Sequence, residues 1–143
     1  MSVHSAAIEW LRGEERFVDN RYSRRQAVAF DGGANWRLSS SPESVRVPFS
    51  DPSAVASCHM LWFLSIAAKA GFCVDSYRDA AHGRMAEDAA GRMVMATVTL
   101  RPHCHFSGER PPSAEEYREL HDQAHHECFL ANSVRSEIHI EPV

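Results

Sequence analysis

Four cysteines and nine histidines are the side chains of this 143-residue sequence whose chemistry reaches beyond packing and solvation. Cys58 opens the apolar stretch S-C-H-M-L-W-F-L-S-I-A-A-K-A-G-F (57–72), which reads as a helix with the cysteine in its first turn. Unpaired backbone N–H groups and the positive end of the helix dipole favour a thiolate there. An ordinary thiol of pKa about 8.5 is only ~3% thiolate at pH 7, whereas a pKa near 5.5 makes it ~97%, so surroundings set nucleophilicity. Cys128 is the second candidate, in H-H-E-C (125–128) with His121 earlier in the same segment. The plain alternative for both is a small buried hydrophobe, since free cysteine is among the most buried residue types.

Two histidine patterns resemble metal sites and fall short of them. In His103-Cys104-His105 a strand would point both histidines to one face and the cysteine to the other, so the three cannot share one ion without a bulge. His121 and His125 have the i, i+4 spacing of zinc ligands but lack the intervening glutamate of the hydrolase motif. With His126 they read as a solvated or interface cluster, and no metal or cofactor is expected.

The elements that must position these residues follow from patterning. The run 57–72 is too short and too often interrupted, by His59, Ser65 and Lys69, to span a bilayer. A helix apolar nearly all round must be covered on most faces, and Gly71 is placed to end it. Before it, Ala6–Leu11 and Tyr22–Phe30 read as strands of an antiparallel meander. They are separated by the charged turn Arg12–Arg16 and closed by Asp31-Gly32-Gly33, a hairpin-type signal. The Ser- and Pro-rich stretch Ser39–Pro52 reads as a loop holding one short strand candidate, Val45-Arg46-Val47. After the helix, Cys73–Met85 and Arg92–Phe106 form a hairpin of long strands about E-D-A-A-G (87–91). Ser113-Ala114-Glu115-Glu116 has the form of a capping box and starts a second helix, with Tyr117, Leu120, Ala124 and Cys128 on one face and an end near Asn132. Ile138 and Ile140 alternate with Glu137, His139 and Glu141 in a closing strand. This order predicts an α+β fold with helices segregated from an antiparallel sheet, in a single domain spanning 1–143.

Composition bounds the partners. With 19 acidic against 15 basic residues and no Lys/Arg block, neither nucleic acid nor an anionic membrane is expected. The chain opens with no signal-peptide pattern, so the expected location is cytoplasmic, where four cysteines imply free or redox-active thiols rather than a disulfide framework.

The stretches 57–72, V-T-L-R-P (98–102) and H-H-E-C-F-L-A-N-S-V (125–134) closely resemble the OsmC/Ohr family of thiol-dependent organic-hydroperoxide reductases, and R-Y-S-R (21–24) and F-D-G-G (30–33) fit its OsmC-like branch. The resemblance implies an intertwined homodimer in which sheets from both subunits wrap two central helices. It also implies an organic hydroperoxide as substrate, Cys58 as peroxidatic cysteine and Cys128 as resolving cysteine. The resulting disulfide would be reduced by an external dithiol, a lipoylated protein in some relatives. An arginine normally supports the thiolate, and Arg24 is the choice here over Arg21 and Arg25. The departure is a glutamate that relatives carry roughly ten residues ahead of the cysteine; D-P-S-A-V-A-S-C (51–58) has none. The join at Val55-Ala56 reads as though about a dozen residues were missing, either through a genuine deletion or because the sequence omits a mobile stretch, and a shortened helix would suit Pro52 in its first turn. Two rivals remain open: a ligand-binding or redox-sensing module on the same fold, favoured by the absent glutamate, and a cysteine hydrolase using a nearby histidine as base.

Overall fold

The structure, a computed structural model, describes residues 3–19, 22–38 and 52–143. The candidate Val45-Arg46-Val47, the rest of 39–51 and Arg21 lie outside the described residues.

Alternation at period two builds the amino-terminal meander. β1 (Val3–Leu11) buries Ala6, Ile8 and Trp10 and pairs antiparallel with β2 (Gln26–Phe30), which pairs with β3 (Asn35–Leu38). The second strand begins at Gln26, not at Tyr22 as the pattern suggested. Tyr22 instead stacks on Phe17 with ring centroids 4.7 Å apart and meets Trp10 edge-on, while the indole of Trp10 donates to the Ser23 carbonyl at 2.7 Å. This aromatic cluster fixes the connection by packing, so it needs no ladder. The Asp31-Gly32-Gly33 turn forms as expected, with Gly33 at φ +85°.

β4 (Cys73–Glu87) is the strand the sheet is laid around. One edge pairs with β1; the other pairs with β5 (Met93–Leu100) along one half and β6 (Pro102–Ser107) along the other, both antiparallel. The predicted second strand of the hairpin is thus divided at Arg101, where Pro102 has no N–H to donate. The Arg101 N–H instead meets a carboxylate oxygen of Asp79 at 2.7 Å. A register shift between Val74 and Ser76 moves the inward face of β4 from Val74 to Tyr77, Asp79 and Ala81, a two-for-one irregularity that no simple alternation predicts. β7 (Glu137–Ile140) joins the far edge parallel to β5, so the sheet is mixed rather than wholly antiparallel.

Among the described residues, three helices pack together, the first of them lying on the sheet. α1 (Pro52–Lys69) packs on β1 and β4, burying Val55, Ala56, His59, Met60, Phe63, Leu64, Ala67 and Ala68. It ends where Gly71, at φ +82°, turns the chain so that the Phe72 N–H reaches the Ala67 carbonyl at 3.0 Å. α2 (Ala114–Glu127) starts with the predicted capping box: Ser113 Oγ accepts from the Glu116 N–H, and the Glu116 carboxylate accepts from the Ser113 N–H. A short α3 (Phe129–Ser133) follows, a break where one continuous helix to Asn132 was expected. Among the described residues no helix is long and apolar enough to cross a membrane.

Candidate active site

The break between α2 and α3 builds the site. Cys128 leaves the helical conformation at φ −67° and ψ 109°, its N–H closing α2 on the Ala124 carbonyl and its carbonyl accepting the Asn132 N–H that starts α3. In an uninterrupted helix the Leu130 N–H would meet the His126 carbonyl. Here the Asn132 side-chain amide takes that carbonyl at 2.9 Å, and the N–H groups of Phe129 and Leu130 are freed to point at the sulfur of Cys58. Locally polar Asn132 thereby compensates the interrupted ladder.

Cys58 does not owe its acidity to its own helix. Pro52 is the first residue of α1, so Cys58 lies nearly two turns inside it, beyond the reach of the α1 terminus. The expectation of a first-turn thiol is corrected on this point. The Cys58 thiol is nonetheless lowered to about 7, chiefly because the Cys128 S–H donates to it, with the Leu130 and Phe129 amides adding to that and burial opposing it. Cys128 is correspondingly raised, first by the neighbouring Cys58 sulfur and then by burial, so the shared proton stays on Cys128. Cys58 is half-buried and Cys128 fully buried, which leaves the more acidic sulfur as the accessible one. Beside them Trp62 meets Phe129 edge-on at 5.6 Å, and a cleft of about 790 Å³ runs between α1 and α2 from Trp62 and Glu127 to Phe72 and Arg110.

Arg24 is found against Tyr22, its guanidinium 4.5 Å from the ring centroid and 3.2 Å from the Tyr22 carbonyl oxygen. Among the described residues, the groups that chiefly set the Cys58 thiol are Cys128 and the Leu130 and Phe129 backbone amides. No acidic residue stands in the first turn of α1. The structure therefore joins Cys58 to Cys128, and it describes Arg24 in the amino-terminal aromatic cluster.

Patterning missed a buried histidine pair. His59 Nε2 and His121 Nδ1 lie 2.9 Å apart, both residues are 1% exposed, and the rings are parallel within 4°. Burial lowers His59 to about 3 and His121 to about 2, so both are neutral at physiological pH. Reading His121 as part of a solvated cluster was wrong; only His126 of the three is fully exposed. The signal was present, because His121 follows Tyr117 by four residues and precedes Cys128 by seven, which puts it on the apolar stripe. His103 and His105 sit on the exposed face of β6, whereas Cys104 turns inward to Tyr117, where burial pushes its thiol up to about 12.

A family model described as OsmC-like protein matches residues 53–143. A solved OsmC-like protein of unknown function from Vibrio cholerae is 40% identical, with all of both chains covered and a TM-score of 0.63. The organic hydroperoxide resistance protein OhrB of Bacillus subtilis shares the fold at 17% identity and TM-score 0.54, over 96% of this chain and 97% of that one. An OsmC-like hydroperoxide resistance protein from Jannaschia sp. does so at 14% and 0.55, over 93% and 87%. Among curated proteins none matches.

Proposed function

Since the chain belongs to the OsmC-like protein family, we propose that it is a thiol-dependent peroxidase that reduces organic hydroperoxides through Cys58 and Cys128. The observation that carries this reading is that half-buried Cys58 on α1 and buried Cys128 at the α2–α3 break are neighbours, with the Cys58 thiol lowered to about 7 by Cys128 and the Cys128 thiol raised by Cys58. The Cys58 thiolate attacks the distal peroxide oxygen, the O–O bond breaks, and the alkoxide takes a proton to leave as alcohol while Cys58 becomes a sulfenic acid. Cys128 then attacks the Cys58 sulfur, its proton leaves with the hydroxyl as water, and a disulfide forms. An external dithiol, such as the lipoyl group of a protein, returns both thiols. No cofactor enters these steps, and the cytoplasm suits a cycle that depends on a reducing dithiol.

Arg24 is kept as the arginine proposed to support the thiolate. Titrating Cys58 alkylation in Arg24→Met tests it, and an unchanged thiol pKa removes Arg24 from the site. We also read the protein as a homodimer. Leu61, Trp62 and Ile66 on the outer side of α1 are only half-covered by their own chain, and Phe129 beside Trp62 is 67% exposed. Sedimentation at low micromolar concentration tests this, and a stable active monomer contradicts it.

The deciding assay is consumption of an alkyl hydroperoxide with a dithiol donor. With the donor wild type turns over and Cys58→Ser is inactive; without it Cys128→Ser consumes one equivalent and stops. Full steady-state activity in Cys58→Ser sinks the assignment. The absence of an acidic residue in the α1 first turn favours a redox-sensing or ligand-binding module as second reading; it predicts disulfide formation with negligible turnover in the same assay.

A further inference from the structure

The pair His59–His121 has no part in the chemistry above, and packing does not explain it. Two imidazoles are removed from water and share one hydrogen bond, and the outward nitrogens, His59 Nδ1 and His121 Nε2, meet no partner among the described residues, nor does the buried Nδ1 of neighbouring His125. Leaving such nitrogens unsatisfied costs free energy that apolar side chains of similar size would avoid.

What distinguishes the pair is its place. His59 directly follows Cys58 on α1, and His121 lies seven residues before Cys128, about two turns along the same face of α2. Helices α1 and α2 therefore meet through two polar links, the imidazole bond and the thiol contact. Apolar packing tolerates small sliding and rotation, but a 2.9 Å N···N bond between rings held parallel, with Phe63 stacked on His121 at 4.3 Å and Tyr117 against its edge, fixes register and direction.

From this placement we infer that His59 and His121 are positioning residues, a buried clamp that holds α1 against α2 so that the Cys58 and Cys128 sulfurs stay within bonding reach. The inference takes its purpose from the peroxidase reading, but its test needs no peroxide. Neutral histidines suit the task, since a single proton lies between the rings and neither carries a charge that would have to be solvated.

The test is the effective concentration of the two thiols, measured at pH 7 by equilibrating the whole protein with reduced and oxidised glutathione. In that exchange one glutathione disulfide accepts two electrons from the two thiols and yields two glutathione molecules and the protein disulfide. His121→Phe and His59→Leu, which fill space but break the bond, are expected to lower the effective concentration at least tenfold, a shift of about 30 mV for a two-electron couple. His121→Gln, which keeps a hydrogen-bonding side chain, is expected to recover most of it. Val28→Ala, a core truncation on β2 outside the helices that bear the histidine pair, controls for lost stability and should leave the value unchanged. A wild-type value in His121→Phe and His59→Leu, or an equal fall in Val28→Ala, overturns the clamp. Loss of peroxide turnover with the glutathione pattern intact overturns the peroxidase reading alone.

Discussion

Acid should unfold this protein through the same two histidines. In the folded state His59 and His121 resist protonation down to about pH 3 and about pH 2, because burial excludes the charged form, whereas in the unfolded chain each takes a proton near pH 6.5. Folded pKa values below unfolded ones give stability that is fully present above pH 6.5 and is lost as pH falls through the window to about 3. Each group contributes a slope of about 1.4 kcal/mol per pH unit, so the pair contributes about 2.7 and removes about 5 kcal/mol between pH 6.5 and 4.5. Asp79 opposes this: its folded pKa of about 6 against an ordinary 3.8 returns about 2 kcal/mol over the same interval. The net loss of about 3 kcal/mol is a large share of the 5–15 kcal/mol typical of a domain. The measurement is urea unfolding at pH 4.5, 5.5, 6.5 and 7.5 for wild type and for His59→Phe/His121→Phe. Whatever its stability at pH 7.5, the double variant's pH slope should flatten or reverse, because only the Asp79 contribution remains from these three groups. Parallel curves for the two proteins would show that the histidines are not held neutral and would refute the argument.

Three further outcomes follow from individual contacts. Asp79→Asn removes a carboxyl whose raised pKa gives full stability below pH 3.8 that is lost as pH rises through about 6; the variant should gain about 2–3 kcal/mol at pH 8 and nothing near pH 4, read from urea midpoints at both. Cys128→Ser replaces the leading stabiliser of the Cys58 thiolate with a hydroxyl of different length and geometry, so the Cys58 pKa should rise from about 7 toward the ordinary thiol value, measured as the pH dependence of alkylation; an unchanged value would leave the α3 amides as its sole support. Ser113→Ala breaks the capping box of α2 and should cost about 1 kcal/mol in urea unfolding with no change in the Cys58 titration.

Features written in short spans of sequence were legible without the fold. The capping box at Ser113, the Gly71 stop, the turn at Asp31-Gly32-Gly33 and the alternation of β1 and β7 each depend on residues within a few positions of one another, so propensity and period decide them. Cys58 and Cys128 were legible as candidates for a different reason, since their flanking stretches resemble a known family. Tertiary structure alone decided what acts on them. The Cys58 sulfur takes its acidity from Cys128 and from the Leu130 and Phe129 amides, which lie where Cys128 leaves the helical conformation and Asn132 takes the His126 carbonyl. The partner of His59 stands 62 residues away, and the division of the hairpin at Arg101 depends on Asp79 across the sheet. Periodicity tells which face of an element is buried; it cannot tell which polar group from a distant element will meet it there, and in this protein those meetings set the chemistry of the site.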